Sequence, residues 1–139
     1  MGVKGRFGNR SPLPGDIHRR IETLPELLKG KGVILAYLFG SLARGEEGED
    51  VDIALLSDSP AYELRVPIME HLGTERVDLI DLKTAPLDLK MRIVREGKLI
   101  YKRSDEDENR FEMDVIRKYL DFEPIMRRRF ELLKRRFGA

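Results

Sequence analysis

The sequence predicts an α/β fold, with a small mixed β-sheet packed against helices and a long helix in the C-terminal segment. Apolar runs with the length of strands alternate with segments of helical periodicity, which is typical of an α/β sandwich. Clusters of Gly, Pro, Ser and Asp separate these segments and mark turns. A length of 139 residues corresponds to one domain that can bury a core.

The N-terminal two thirds of the chain are predicted to contain an arm, two helices and three strands. Residues 1–15 are rich in Gly, Arg and Pro, so we expect a flexible basic arm. Asp16 is suited to cap a first helix, which Pro25 could divide in two and which ends by Gly30. A second helix is predicted over residues 61–72. The predicted strands cover residues 33–39, 50–56 and 75–82.

The remaining third is predicted to be mostly helical. Pro86 opens a helix that extends to Arg95, and residues 98–101 form a short edge strand. Ser104 caps the last helix, and Pro124 is expected to break or kink it. We therefore divide the chain into an arm, a core and a C-terminal helical segment packed on the core, at residues 1–15, 16–103 and 104–139.

The last helix carries two apolar stripes, which we expect to belong to the core. If the second stripe projects beyond the domain, for instance at Phe130 or Phe137, it becomes a partner-binding surface instead. The first stripe consists of Phe111, Val115, Ile116, Tyr119 and Leu120, and the second of Ile125, Met126, Phe130, Leu133 and Phe137.

Two carboxylates stand at positions i and i+2 of the second predicted strand, at Asp50 and Asp52. Because side chains alternate faces along a strand, both carboxylates point the same way. Such neighbours repel each other unless a cation lies between them, and Mg²⁺ prefers oxygen ligands and accompanies phosphates. The pair therefore predicts a catalytic Mg²⁺ site.

The segment that ends the first strand is suited to bind a polyphosphate. Gly40 allows close approach to the backbone, and Ser41 with the amides of a helix start would stabilise negative charge. Arg44 offers two parallel donors to phosphate oxygens, although an ordinary solvated loop arginine is the alternative. Ser41 is not predicted to be a nucleophile, because His18 and His71 fall in helices and are expected to be structural or surface residues.

The glycine-serine segment and the two carboxylates together match the motifs of a known protein family. The run Phe39-Gly40-Ser41-Leu42-Ala43-Arg44-Gly45, followed by Asp50-Val51-Asp52, resembles the nucleotidyltransferase superfamily typified by DNA polymerase beta. Within it, the run is similar to the minimal branch, the MNT proteins. By motif, the resemblance extends from Val33 to Leu82, and it implies the polymerase beta-like fold.

The resemblance also implies the chemistry. A third carboxylate is expected on a later strand at Asp78, whereas Asp81 falls on the opposite face of that strand. AMP would be transferred from ATP with two Mg²⁺ ions held by Asp50, Asp52 and Asp78. Many MNT proteins are antitoxins paired with HEPN-domain toxins, so the implied acceptor is a hydroxyl of a HEPN RNase toxin. The resemblance leaves self-association open.

One departure from the family concerns the loop at residues 42–49. It is shorter than the family's usual loop and contains Glu46, Glu47 and Glu49. A shortened acidic loop beside the metal carboxylates could attract Mg²⁺ or repel a triphosphate. Two alternatives to the adenylylating antitoxin therefore stay open: a nucleotidyltransferase that modifies a small molecule, and an inactive module that occludes a toxin through its C-terminal helix.

Composition narrows the function classes further. The 26 basic and 25 acidic side chains nearly cancel, so no global field favours nucleic acid or an anionic membrane. Local basic clusters at Arg127-Arg128-Arg129 and Lys134-Arg135-Arg136 are expected to be a solvated helix face. The absence of cysteine excludes disulfides, thiolate metal sites and cysteine nucleophiles. Since no apolar run approaches the length of a membrane span, we expect a cytoplasmic protein.

Overall fold

The computed structural model describes residues 12–46, 48 and 50–136. Most of the predicted arm, the loop residues Glu47 and Glu49, and Phe137 of the second stripe lie outside these residues. The helices are α1 (Ile17–Leu28), α2 (Arg65–Leu72, preceded by a 3₁₀ turn at Ala61–Leu64), α3 (Leu87–Glu96) and α4 (Asp105–Arg136). The strands are β1 (Val33–Phe39), β2 (Val51–Ser57), β3 (Val77–Asp81) and β4 (Lys98–Lys102).

The four strands form one mixed sheet in the order β3-β2-β1-β4. β1 pairs antiparallel with both β2 and β4, whereas β2 and β3 run parallel because α2 carries the chain back between them. The predicted mixed sheet and the predicted edge position of the last strand are confirmed. β1 and β2 are the central strands, and their alternating apolar residues are buried on both faces of the sheet.

Helices cover both faces of the sheet, as expected for an α/β sandwich. On one face, α1 and α2 pack through buried residues such as Leu24, Leu28 and Ile68. On the other face, α3 and the first half of α4 pack against Leu35 and Tyr37. No helix in the described ranges is both long enough and apolar enough to cross a membrane.

The predicted division of α1 at Pro25 is wrong, and so is a predicted break of α4 at Pro124. α1 continues through Pro25, where the missing amide removes one hydrogen bond while the fully buried Leu24 and Leu28 keep both sides of the helix packed. α4 continues through Pro124 without a break. Its flanking Leu, Glu, Met and Arg residues favour helix, and an ion pair between Arg127 and Glu123 spans the proline.

The start of α4 is fixed by a cap and by two links to the sheet. Ser104 Oγ accepts a hydrogen bond from the Asp107 amide at 3.1 Å, which confirms the predicted cap. The Arg103 guanidinium donates two hydrogen bonds to Asp107, at 2.8 and 3.0 Å, and together with Ser104 it lowers the pKa of this carboxyl to about 2. The Arg103 amide donates to the carbonyl of Ile34 at 2.8 Å. The first turn of α4 therefore lies beside the beginning of β1.

A second link lies further along both elements. The hydroxyl of Tyr37, in the middle of β1, donates a hydrogen bond to Glu112 Oε2 at 2.6 Å. Burial and the neighbouring Glu112 raise the pKa of Tyr37, so its hydroxyl keeps the proton that it donates. Since Arg103 meets Ile34 and Glu112 meets Tyr37, α4 runs in the same direction as β1, toward the end of the strand at Phe39.

The expectation that both apolar stripes of α4 belong to the core holds only for part of the first. Val115 is buried and Phe111, Ile116 and Tyr119 are half-buried, but Leu120 is exposed. The described residues of the second stripe are all exposed, at Ile125, Met126, Phe130 and Leu133. The reason is length: 32 helical residues extend about 48 Å, whereas the seven-residue strands extend about 23 Å.

We expect Tyr37→Phe to lower the free energy of unfolding by about 1–2 kcal/mol, because Glu112 would lose its buried hydroxyl donor. Urea denaturation at pH 7 measures this loss. Tyr62→Phe is the matched control, since the Tyr62 side chain is 76% exposed and should tolerate the change. Equal stability of the two variants would show that the Tyr37 hydrogen bond does not hold α4 on the sheet.

Candidate active site

The parallel pairing of β2 and β3 brings Asp52 and Asp78 together. The register places Asp52 directly beside Asp78, so both side chains extend from the same face of the sheet. The carboxylate expected at Asp78 therefore lies beside the second strand, next to Asp52. Asp50 lies one residue before β2 and acts on the charge of Asp52, as Asp78 does.

The environment of Asp52 opposes its ionisation. Burial is the largest cause, repulsion by Asp78 the second and repulsion by Asp50 the third, and together they raise the pKa of Asp52 to about 6. A carboxyl group that is half-buried among two others is a common feature of functional sites. Such a group gains most from a cation that would neutralise the cluster.

Gly40 lies directly against the carboxylate of Asp52. The residue before it, Phe39, pairs with Asp52 across β1 and β2. At Gly40 the backbone turns with a φ of +79°, and a Cβ atom there would collide with Oδ2 of Asp52. Only glycine satisfies both conditions. The predicted phosphate-binding segment and the predicted metal carboxylates are therefore in contact.

The residues after Gly40 form turns where a helix start was expected. The Arg44 and Glu46 amides both donate to the Ser41 carbonyl, at 3.1 and 3.0 Å, and the described residues between Gly40 and β2 contain no α-helix. Gly45, with a φ of +79°, ends the turn because a helix cannot continue through this conformation. Gly48 closes the loop over Ser41, where a Cβ atom would collide with the serine hydroxyl.

Arg44 lies on the outside of this turn. Its side chain is 56% exposed, and its Nε is 3.4 Å from Oε2 of Glu46. An exposed ion pair at this distance contributes little stability. A phosphate group could therefore replace Glu46 as the partner of Arg44 at low cost.

Arg76 is a site residue that the sequence analysis missed. Its Nε lies 3.7 Å from Oδ1 of Asp50, and its side chain is 14% exposed. The carbonyl of Arg76 also accepts a hydrogen bond from the amide of Val51 at 2.8 Å, which holds the beginnings of β2 and β3 together. Its position two residues before Asp78, at the start of a strand that carries a site carboxylate, was the available signal.

Three other polar residues lie outside the cluster. Asp81, at the end of β3, accepts a hydrogen bond from the Lys83 amide at 2.9 Å and pairs with Leu55, three positions from Asp78. The ring of His71 lies 2.8 Å from the Thr23 hydroxyl and 3.0 Å from the Arg20 carbonyl, which is a structural role. His18 is exposed on α1, so neither histidine serves Ser41 as a base.

The carboxylates fit an ion that is bound jointly with a substrate. In the described part of the chain, no three His, Cys, Asp or Glu side chains are grouped closely enough to hold an ion on their own. Mg²⁺, however, is usually bound by one or two carboxylates together with water and substrate phosphates. The contact between Gly40 and the Asp52 carboxylate would place a phosphate beside such a pair.

We expect Gly40→Ala to destabilise the protein more than Gly45→Ala. Both glycines have a φ of +79°, so both variants acquire the same backbone strain, about 1–2 kcal/mol. The added methyl group meets the Asp52 carboxylate at position 40 but open space at position 45. Urea denaturation of the two variants isolates the contact with Asp52. Equal losses would place the Asp52 side chain elsewhere.

We expect Asp52→Asn to stabilise the metal-free protein at pH 7 by about 1 kcal/mol after allowance for solvent screening, or about 3 °C in melting temperature. Because the folded state raises the pKa of Asp52 from 3.8 to about 6, wild-type stability falls as pH rises through this window. The difference should vanish below about pH 4, where Asp52 is protonated in both states. Thermal melts from pH 3.5 to 8 in EDTA test this, and a lower melting temperature of the variant at pH 7 would contradict it.

Comparison with known proteins agrees with this geometry. The polymerase beta nucleotidyltransferase family model matches residues 22–106, which include β1, β2, β3 and all the predicted site residues. The protein adenylyltransferase MntA of Shewanella oneidensis is 36% identical over 81 residues, 53% of this chain and 58% of that protein. The chain thus matches a little more than half the length of this curated relative.

Two solved structures have the same fold. A chain of a toxin–antitoxin complex with AMP-PNP is 26% identical, with a TM-score of 0.66, and the match covers 81% of this chain and 97% of that one. A chain of the complex between the tri-AMPylated HEPN toxin of Shewanella oneidensis and its MNT antitoxin is 24% identical, with a TM-score of 0.65. That match covers 84% of this chain and 98% of the other. The fold and family predicted from the sequence are confirmed, and the chain belongs to the polymerase beta nucleotidyltransferase family.

Proposed function

We propose that the protein transfers AMP from ATP to a hydroxyl group of a HEPN-type toxin and thereby acts as its antitoxin. The relative MntA is a protein adenylyltransferase, and the neighbouring structures are toxin–antitoxin complexes, one with an ATP analogue. These likenesses support the nucleotide donor and the protein acceptor. They agree with the activity that the sequence motifs imply.

The observation that carries this proposal is the position of Asp52. Its carboxylate lies between Asp78 on the neighbouring strand and Gly40 at the end of β1, and burial together with repulsion by two other carboxylates raises its pKa to about 6. Near neutral pH Asp52 is therefore ionised at a free-energy cost that a bound cation offsets. A site with this property is suited to a substrate that arrives with a divalent ion.

Each carboxylate has a proposed role. Asp50 and Asp52 would hold Mg²⁺ together with phosphate oxygens of ATP, and Asp78 would help to hold a second ion or accept the proton of the attacking hydroxyl. When bound, Mg²⁺ would neutralise phosphate charge and stabilise the entering and departing oxygens of an in-line displacement. Arg76, 3.7 Å from Asp50, would orient this carboxylate and offset its charge before the substrate arrives.

The nucleotide would be held by the segment after β1. Gly40, whose backbone lies against Asp52, would allow the triphosphate to approach closely. Ser41 would donate its hydroxyl hydrogen to a phosphate oxygen, and Arg44 would exchange Glu46 for a phosphate. The acceptor oxygen would then form a bond with the α-phosphorus as the bond to pyrophosphate breaks. The acceptor proton leaves to Asp78 or to water, and the products are an AMP ester and pyrophosphate.

Two further assignments belong to the same proposal. Because ATP is the donor, we place the protein in the cytoplasm. We also keep the division into an arm at 1–15, a catalytic core at 16–103 and a C-terminal helical segment at 104–139.

The decisive experiment uses full-length protein, ATP labelled at the α-phosphate and a HEPN-domain protein encoded by the adjacent gene. We expect label on the HEPN protein only when Mg²⁺ is present. Asp52→Asn and Asp78→Asn should reduce labelling by at least about a hundredfold. Asp81→Asn is the matched control, since Asp81 lies at the far end of β3 and should retain activity.

The possible results separate the three functions considered from the sequence. A tight complex without label would indicate an inactive toxin-binding module. Label on an aminoglycoside-like small molecule, but not on the HEPN protein, would indicate a small-molecule nucleotidyltransferase. Equal loss in Asp78→Asn and Asp81→Asn would contradict the assignment of the third carboxylate.

A further inference from the structure

The distal half of α4 exposes an apolar stripe that no other helix or strand of the described residues covers. It consists of Phe122, Met126, Phe130 and Leu133, which we call the distal stripe. Their side chains are 47%, 44%, 62% and 43% exposed. A contiguous patch of large, exposed apolar residues marks an interaction site more often than single exposed apolar residues do.

The distal stripe continues the face of α4 that already packs on the domain. Val115 is buried and Tyr119 half-buried against the domain, and Phe122 and Met126 follow at the same three- and four-residue steps. The face that packs on the domain in the first half of α4 is therefore presented without a partner in the second half. A spacing of three and four residues is the pattern by which one helix packs against another.

Two arginines share this face and have no acidic neighbour on the helix. Arg129 and Arg136 lie seven and fourteen residues after Phe122, so they fall on the same side of α4. The residues three and four positions away from Arg129 are Ile125, Met126, Leu132 and Leu133, all apolar. Arg127, on another side, pairs with Glu123 instead. A partner with carboxylates beside its apolar groups would therefore pair with both arginines while it covers the distal stripe.

The direction of α4 brings the distal stripe to the active-site end of the sheet. Arg103 is hydrogen-bonded to Ile34 at the start of β1, and Glu112 to Tyr37 in the middle. Beyond Tyr37, β1 leads to Gly40, and α4 continues in the same direction past the end of the sheet. A protein bound to the distal stripe would lie on the side of the domain where Gly40 and the carboxylates are found.

The family model ends at residue 106, as α4 begins. The part of the chain that it matches contains every predicted site residue, whereas the distal stripe lies outside it. A surface outside the shared catalytic region is suited to recognise a partner particular to this protein.

We propose that the distal stripe, with Arg129 and Arg136, is the docking surface for the acceptor protein, which presents an apolar helix or groove edged by Asp and Glu. This inference rests on the proposed function. A second copy of the chain fits less well, because residues 120–136 contain six basic and three acidic side chains, and pairing two copies would oppose like charges. A lipid surface would have to accept two arginines in line with Phe122, and RNA would leave the apolar groups exposed.

The test compares two double variants of the full chain. The substituted positions of one variant are shifted by one residue from those of the other. Arg129→Glu with Arg136→Glu reverses the charges beside the distal stripe. Arg128→Glu with Arg135→Glu makes the same change in net charge on another side of the helix. We expect the first to weaken binding to the adjacent-gene HEPN protein at least about tenfold and the second less than about threefold. All four arginines are exposed, so both variants should keep the wild-type circular dichroism spectrum.

A second pair of variants tests the apolar part of the surface. Phe122→Ser should weaken binding at least about fivefold, whereas Tyr62→Ser, an exposed aromatic residue outside α4, should leave it unchanged. With labelled ATP, Arg129→Glu with Arg136→Glu should raise the KM for the acceptor and leave kcat within about twofold, because no residue of the site has changed.

The outcomes distinguish this inference from the proposed function. Equal weakening of HEPN-protein binding by both arginine variants would overturn the docking surface. So would binding to a 20-nucleotide RNA or to phosphatidylserine vesicles that Arg129→Glu with Arg136→Glu weakens, if binding to the HEPN protein were unaltered in that variant. Labelling of the acceptor with unaltered binding by all four variants would also overturn it while leaving the proposed function intact. Face-specific binding without label would support the docking surface and refute the transfer reaction. No binding and no label would overturn both.

Discussion

Repulsion among carboxylates at one end of the sheet is the constraint around which this domain is organised. The parallel register of β2 and β3 forces Asp52 and Asp78 into adjacent positions, and Asp50 adds a third charge nearby. The folded protein tolerates this because the same strands bury apolar residues on both faces, such as Ile53 and Leu55 on one face and Ala54 on the other. The sheet thus stabilises an arrangement that would be unfavourable in isolation.

The surroundings of the cluster moderate its charge in different ways. Arg76 lies beside Asp50, and Gly40 lies directly against the carboxylate of Asp52. The loop after Gly40 adds Arg44, whose weak pair with Glu46 is easily exchanged. Positive charge is therefore supplied partly by the fold and partly by whatever binds, which is a common way of coupling substrate binding to catalysis.

Much of this arrangement was accessible from the sequence, because its signals are local. The apolar runs of β1 and β2 and the glycine between β1 and the loop predicted their positions within about one residue. Asp78 was identified through a family resemblance. Whether its side chain lies beside Asp52 depends on the register of β2 and β3, which the alternation of side chains along a strand does not fix. Arg76 was missed because its position two residues before Asp78 is a weak signal, and its proximity to Asp50 arises only from the pairing of β2 with β3.

The wrong predictions concern features that depend on how the whole domain packs. Pro25 and Pro124 were expected to interrupt helices. The free-energy cost of one lost hydrogen bond is smaller than the free energy gained from the packing of α1 and from the helix-forming residues that flank Pro124 in α4. The second stripe of α4 has the periodicity of a core helix, and periodicity does not reveal how far the domain extends beneath it. Burial along α4 was decided by the length of the sheet, which only the assembled structure contains.

The length of α4 also has a kinetic consequence. If the acceptor docks on the distal stripe as proposed, the helix would hold it at one place while its hydroxyl group reacts at another. A hydroxyl group tethered in this way would sample the carboxylate cluster at a high effective concentration, and the chemical step would become intramolecular. A short peptide that contained only the modified segment would lack this tether and would react slowly, even though its reactive atoms were identical.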